Sequence, residues 1–298
     1  MGVCETRRDK HINHVFVRSP IEETFISVLK EATDTLFVAA PYIKEYGVQK
    51  IAEHTAAKKI RLLTNLDLRN VTGAGFDIGS LLCLWNSFDL SVASLGKLHA
   101  KVYIADRRVA LVTSANLTLG GLWENYEYGV VLRDATLVSR IVDDLMIYFN
   151  LGSIFTRDLV EQIRRDTNEI IELQKRIAKS KATLQVNRLL RQKTNTLQTR
   201  LLENRVKGKT INAIFSDTIL YLLGSVGPLT TEELHPLIQN THPDICDDTI
   251  DRVINGQRFG KKWKHMVRNA QQYLKTRKLI EPRGHKWTKV VANIQLSG

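Results

Sequence analysis

The sequence predicts an α/β protein: a mixed β-sheet flanked by helices, then a long helical segment, then a small helical domain closed by a hairpin. Three observations carry this. Short apolar and β-branched runs alternate with helix-length segments up to about residue 150. From Thr156 to about Lys209, Gly and Pro are nearly absent, and Ile163, Ile170, Ile177 and Leu184 recur at every seventh position, the spacing of a coiled-coil seam. Charge then divides the chain. Residues 1–150 hold 17 Lys+Arg and 17 Asp+Glu, whereas residues 151–298 hold 26 and 14, so the whole net +12 lies in the second half.

Residues 1–14 are polar and read as a loose edge segment. Residues 15–33 read as a strand and a short helix, with Ser19 as cap, Pro20 in the first turn and Glu22 and Glu23 at the positive helix end. Phe37 to Ala40 and Ile60 to Thr64 flank a helical stretch, which is a βαβ unit with parallel strands. Gly73-Ala74-Gly75 lacks the third glycine of a phosphate cradle and reads as an ordinary turn. Phe76 to Phe88 is a buried helix with Trp85 in the core, and Asp89 to Leu95 is a further strand. Thr136 to Phe149 closes the domain as an amphipathic helix whose stripe is Leu137, Ile141, Leu145 and Tyr148. The seven-residue repeat beyond it leaves two arrangements open, a coiled-coil seam or a helix packed on its own domain.

The chemistry-bearing residues gather between Leu98 and Gly129. Leu98, Ala100, Val102 and Ile104 alternate with His99, Lys101 and Tyr103, which predicts a strand with one core face and one polar face. A second run, Val109 to Thr113, follows the polar Asp106-Arg107-Arg108, so the two form a hairpin. A turn near Arg107 pairs Lys101 close to Thr113 and His99 close to Ala115, which lays Ser114 and Asn116 beside His99 and Lys101. The third run, Tyr126 to Leu132, follows Gly120-Gly121 and returns Asn125 and Glu127 to the same sheet end. A histidine, an ammonium, a hydroxyl, an amide and a carboxylate together suit phosphodiester cleavage. That reaction needs a nucleophile, a proton donor for the leaving oxygen, and fixed positive charge where negative charge spreads.

These residues resemble the phospholipase D superfamily, whose motif is His-x-Lys, four residues, Asp, six residues, then Gly-Ser-x-Asn. His99, Lys101, Asp106, Ser114 and Asn116 fall at every spacing; the departure is Thr113 in place of glycine. Asn125-x-Glu127 and the stretch Asp34 to Leu62 also resemble the family pattern. The resemblance implies that His99 attacks phosphorus to give a phosphohistidine, and that Lys101, Asn116 and Ser114 hold the non-bridging oxygens. It further implies that Glu127 orients the histidine through its other ring nitrogen, and that neither metal nor cofactor is required. Asp106 reads as an organiser of the hairpin rather than an acid. The family chemistry uses two His-x-Lys motifs at one site, and this chain has one. The expected form is therefore a homodimer through the catalytic domain, with two His99 side chains facing across a two-fold axis.

The final segment reads as helix Ile211 to Leu223, a turn, a helix opened by Thr230-Thr231-Glu232-Glu233, a helix within Lys261 to Leu279, and a basic-tipped hairpin from Ile280 to Val290. Trp263, Val267, Ala270 and Leu274 make a buried stripe. From Arg252 to Lys289 there are twelve Lys+Arg against only Glu281. The pattern resembles the winged-helix domains attached to DNA-cleaving enzymes, including modification-dependent restriction nucleases. It implies a nucleic-acid surface of Lys261, Lys262, Lys264, His265, Arg268, Gln271, Gln272, Lys275, Arg283 and Lys286, where Arg and Gln can read base edges and Lys can hold phosphates. A winged helix used for protein contacts, with the charge as a solvated face, is the other reading.

The domain plan is thus 1–152 catalytic, 153–209 helical linker and 210–298 winged helix. No apolar run approaches a membrane span and no basic-then-apolar leader opens the chain, so a soluble, cytoplasmic protein without membrane contact is expected. Cys4, Cys83 and Cys246 lack the spacing of a zinc site or a disulfide framework and read as reduced thiols. Met1 to Thr6 fits the loose myristoylation pattern by coincidence. The expected function is a metal-independent DNA endonuclease of restriction, defence or repair. A phospholipase or phosphatidyl transferase, an RNA nuclease, and a catalytically silent DNA-binding regulator are the alternatives.

Overall fold

The computed structural model describes residues 14–73, 76–179 and 184–290. The polar start with Cys4 and the Met1 to Thr6 pattern, and Ala74-Gly75 of the expected turn, lie outside the described residues. The chain forms two compact units. One holds Leu98–Asn150 with the described residues before Leu95 and those between Ile154 and Lys179. The other holds Leu95–Lys97, Leu151–Ser153 and the described residues from Leu184 on.

The strands of the sheet in chain order are β1 (His14–Arg18), β2 (Thr35–Ala39), β3 (Lys59–Thr64), β4 (Asp89–Ser94), β5 (Val102–Ala105), β6 (Val109–Thr113), β7 (Tyr128–Leu132) and β8 (Ser153–Phe155). Their spatial order is β1-β7-β6-β5-β2-β3-β4-β8. Strands β2, β3 and β4 are parallel, because α2 (Glu45–His54) fills the first crossover and α3 (Leu68–Thr72) and α4 (Ile78–Ser87) fill the second. Strand β5 then pairs antiparallel with β2, and β6, β7 and β1 continue the antiparallel order, with a tight turn only between β5 and β6.

The middle of the sheet is covered on both faces. Val38 and Tyr103 are cross-strand partners, and Tyr103 meets Phe25 of α1 (Glu22–Lys30) edge-on, 4.8 Å between ring centroids. Phe37 and Ile104 point the other way, where Phe37 meets Phe149 of α5 (Ala135–Leu151) at 6.2 Å. The expected polar face of β5 is therefore corrected: Tyr103 is fully buried, its hydroxyl donating to Ala115 O at 3.0 Å, and Lys101 is buried as well. Alternation marks a one-sided strand only where one face stays in water, and here helices cover both. The α5 stripe is likewise turned by one residue, with Val138, Val142, Leu145 and Phe149 inside and Leu137 exposed.

The long polar segment is two helices, α6 (Arg157–Lys179) and α7 (Leu184–Val206). Helix α6 lies against α3 and α4, and Ile163 and Ile170 of the seven-residue repeat are buried. Over so few turns, 3.5- and 3.6-residue periods coincide, and the packing of α6 on its own unit satisfies both.

In the second unit, α8 (Ile211–Ser225), α9 (Thr231–Thr241) and α10 (Lys262–Thr276) enclose a core that includes Phe215, Ile219, Leu234, Trp263, Val267 and Leu274. Thr230 and Glu233 make a reciprocal capping box at the start of α9. Two hairpins complete the unit. One, unexpected from the sequence, is β9 (Asp251–Ile254) with β10 (Gln257–Lys261); the other is β11 (Ile280–Arg283) with β12 (Lys286–Lys289). Leu229, between α8 and α9, pairs with Trp287 of β12, each amide donating to the other's carbonyl at 3.1 and 2.7 Å. Among the described residues no helix is long and apolar enough to cross a membrane.

The β5–β6 turn is held by one carboxylate. Asp106 and Arg107 take φ of 47° and 56°, a left-handed pair that costs energy outside glycine. Asp106 offsets that cost by accepting from the amides of Thr33, Asp34 and Thr35 and from the Thr33 hydroxyl, at 2.7 to 3.0 Å. Burial opposes its ionisation, but these donors outweigh burial and hold the carboxyl well below the usual range. A depressed carboxyl contributes stability in full above the unfolded pKa of about 4, and loses it as pH falls below that value. Asp106→Asn is therefore expected to cost about 3 kcal/mol at neutral pH. It is also expected to flatten the acid limb of stability, both read by urea unfolding across pH.

Candidate functional site

The ends of β5, β6 and β7 meet at one edge of the sheet. Thr113 N donates to Lys101 O at 3.1 Å, so Lys101 stands opposite Thr113, as the hairpin reading requires. Lys101 Nζ lies 3.3 and 3.2 Å from the two ring nitrogens of His99 and donates to His99 O at 3.0 Å. The imidazole is exposed and the ammonium buried. Burial lowers the Lys101 pKa from its ordinary value, and the charge of Glu127 works against that shift. An ammonium can only donate, so at most one of the two ring nitrogens, the unprotonated one, can accept from it.

Across the strand end, Ser114 and Tyr128 are tied by Ser114 N to Tyr128 O (3.0 Å) and Tyr128 N to Ser114 Oγ (3.1 Å). The Ser114 hydroxyl donates to Glu127 Oε2, and Asn125 Nδ2 donates to Glu127 Oε1 at 3.3 Å. Glu127 thus holds Ser114 and Asn125 rather than a ring nitrogen of His99, a correction to the expected histidine-orienting carboxylate. The cause is local, since Glu127 precedes Tyr128, the cross-strand partner of Ser114. Asn116 follows with its amide oxygen buried and without a hydrogen-bond partner among the described residues, a costly state for a polar atom.

Two residues that the sequence did not assign to the site fix its backbone. Ser19 does not cap α1, whose N-cap is Ile21. Its hydroxyl donates to Asn125 O at 2.6 Å and accepts from Glu127 N, while Ser19 N donates to Glu127 O at 3.0 Å. Nothing in the sequence signals this, because Ser19 lies 108 positions from its partner Glu127. Thr113, the departure from glycine, donates to Tyr128 O at 3.0 Å and accepts from Ala115 N at 3.2 Å, so its hydroxyl pins the turn that presents Ser114. Asn116 is confined from two sides. A Cβ on Gly121 would lie 2.6 Å from Asn116 N, and next along the chain Leu117 pairs with Ile43 and accepts from Lys44 N at 3.0 Å.

Residues 25–149 match the family model described as cardiolipin synthase, PLD-like domain. They form a phospholipase D-like domain. Its type is that of a phosphodiesterase. Among solved structures the chain is similar to Nuc, a phospholipase D family member from Salmonella typhimurium, at 17% identity and TM-score 0.42, over 48% of this chain and 97% of that one. NucT from Helicobacter pylori follows at 16% and 0.39, over 47% and 96%. Phosphatidylserine synthase of Haemophilus influenzae gives 16% and 0.38, over 54% and 43%. No curated protein matches the chain.

Within the phospholipase D-like domain, Asp106 sits at the far end of β5, roughly 16 Å from Lys101 along the strand. Its partners are Thr33 to Thr35 and Arg108, so it organises the turn and does not face the His99 edge. Among the described residues no three His, Cys, Asp or Glu side chains cluster so as to hold a metal ion.

The basic residues of the second unit divide by environment. Lys262, Arg268, Gln272 and Lys275 of α10 are exposed. Gln271 is not: it is 1% exposed and its amide donates to Thr231 Oγ1 at 3.1 Å, which corrects its assignment to the nucleic-acid surface. Its place follows from the stripe, since it adjoins buried Ala270. Lys264 lies over the Trp263 ring at 5.5 Å, Lys261 pairs with Asp251 at 2.8 Å, and Arg283 pairs with Glu281 at 2.7 Å. Lys286 is 4.0 Å from Glu233, and His265 accepts from Arg252 at 3.0 Å.

The confinement of Asn116 gives a direct test in the phospholipase D-like domain. Gly121→Ala drives a methyl into the Asn116 backbone and is expected to reduce phosphodiester turnover by about 100-fold, the cost of displacing a positioning group by about 1 Å. Far-ultraviolet circular dichroism should stay unchanged; full activity in a folded variant would show that Asn116 is not held for catalysis.

Proposed function

We propose that the chain is a metal-independent DNA endonuclease whose active site is completed by a second copy. The observation that carries this is the grouping of His99, Lys101, Ser114, Asn116, Asn125 and Glu127 at one sheet edge, in a chain with a single His-x-Lys. His99 forms a bond to phosphorus as the bond to the leaving oxygen breaks, and His99 of the partner subunit gives that oxygen its proton. Water then attacks phosphorus, the partner's His99 takes its proton, and the phosphorus–nitrogen bond breaks to free the imidazole. Lys101, with donors from the Asn116 amide and from the Ser114 hydroxyl as it turns from Glu127, stabilises the charge that builds on the non-bridging oxygens.

The second unit supports DNA as the substrate. Helices α8, α9 and α10, the Leu229–Trp287 pairing and the β11–β12 hairpin have the order of a winged helix, with α10 as the recognition helix and Lys262, Arg268, Gln272 and Lys275 outward. The cardiolipin synthase description of the matching family model favours a second reading, a lipid phosphodiester as substrate.

Supercoiled plasmid incubated with the protein in excess EDTA separates these readings. Cleavage is expected, with a loss of about 10³-fold or more in His99→Ala while binding persists. Cleavage abolished by the chelator would contradict the mechanism, an active monomer by sedimentation would contradict the shared site, and hydrolysis of liposomes without DNA cleavage would establish the lipid reading.

A further inference from the structure

The hairpin β9–β10 stands between α9 and α10, and its strands are exposed along most of their length. Asn255 and Gly256 have φ of 49° and 80°, the two left-handed residues of the tight turn that suits a hairpin. Gly260, at φ 84°, marks an irregularity between Arg258 and Lys261. A lone two-stranded hairpin is marginal in water and must be held at its base. Here Lys262 N donates to Ile250 O at 3.0 Å, Trp263 Nε1 donates to Asp248 at 2.9 Å, and His265 accepts from Arg252 at Nδ1 and donates from Nε2 to Phe259 O. His265 is thereby a residue that positions the hairpin.

The outer part of the hairpin has a composition that the fold does not use. Val253, Ile254 and Phe259 are 56%, 42% and 44% exposed. From Asp251 to Lys264 the basic residues are Arg252, Arg258, Lys261, Lys262 and Lys264, and the single acid, Asp251, is already paired with Lys261 and Arg258. The Arg258 side chain is 80% exposed and stands opposite Val253 on the ladder.

We infer that this hairpin is a second nucleic-acid-binding arm that grips duplex DNA beside the groove occupied by α10. The inference rests on the DNA-binding reading of the second unit. Charge selects the occupant, since an excess of cations with its one carboxylate neutralised faces a polyanion. Continuity selects the same duplex, since β10 runs directly into α10. Shape agrees: a two-stranded ribbon fits a groove about 12 Å wide. Arg258 and Lys262 take phosphates, and Val253, Ile254 and Phe259 lie against the apolar edges of sugars and bases, the pairing of cation and apolar wedge that architectural arms use.

The test uses the full chain carrying His99→Ala, so that bound DNA stays uncut, and a fluorescent duplex titrated by anisotropy from about 50 to about 200 mM salt. Arg258→Ala is compared with Arg258→Ala/Phe259→Ser and with Arg268→Ala/Gln272→Ala on α10. Each arm variant is expected to bind about ten-fold more weakly, the scale of one lost charge-assisted contact. Its dependence of log K on log salt should be shallower by about 0.9, one phosphate contact. Wild-type affinity and slope in the arm variants, with binding lost in the α10 variant, would overturn the arm alone. Unchanged binding in all three would overturn the DNA-binding reading and the arm with it. Arg258→Ala alters one exposed side chain, so an unchanged thermal midpoint secures the comparison.

Discussion

The register between β5 and β6 is the constraint on which the rest of the candidate site depends. It is set at one end by Asp106, whose carboxylate collects donors from Thr33 to Thr35 and ties the turn to the start of β2. At the other end it delivers Thr113 N to Lys101 O. A slip of one residue would turn Lys101 and Tyr103 to the opposite face, because side chains alternate strictly along a strand. The buried ring of Tyr103 against Phe25, with its hydroxyl on Ala115, makes that slip costly. The place of the motif aspartate, distant from the histidine in space, follows from this. It fixes the frame in which the histidine and lysine are presented.

The site edge then assembles by short-range bonding. Ser114 and Tyr128 close the β6–β7 ladder, Glu127 gathers Ser114 and Asn125, and Ser19 reaches in from before α1 to hold the backbone at Asn125 and Glu127. Gly121 packs against the backbone of Asn116 where no side chain would fit. Ser114, Asn125 and Glu127 are held by the frame before any substrate arrives, which is what a stabiliser of developing charge requires. In the proposed function these groups form one half of a site, to which a second copy would bring the proton donor.

Much of the frame was legible because it is local. The βαβ unit, the 106–108 turn, the pairing of Lys101 with Thr113 and the buried stripe of α10 each follow from patterns within about thirty residues. What escaped was set by tertiary burial. Both faces of β5 are covered, so alternation overstated its polar side. Gln271 looked like an outward polar residue and is instead buried on Thr231. Glu127, expected on His99, is taken by Ser114 across the ladder and by Asn125 two residues before it. Ser19 carried an ordinary capping signature that its distant partners override. The β9–β10 hairpin had a local signal in Asn255-Gly256, but its strands are too short and too exposed to form a hydrophobic pattern.

The central claim is that His99 is the nucleophile, and a covalent intermediate tests it most directly. Plasmid cleavage quenched at alkaline pH, followed by nuclease digestion and peptide mass spectrometry, should find a nucleotide joined through phosphorus to the imidazole of His99. Absence of the adduct together with normal cleavage by His99→Ala would contradict the account.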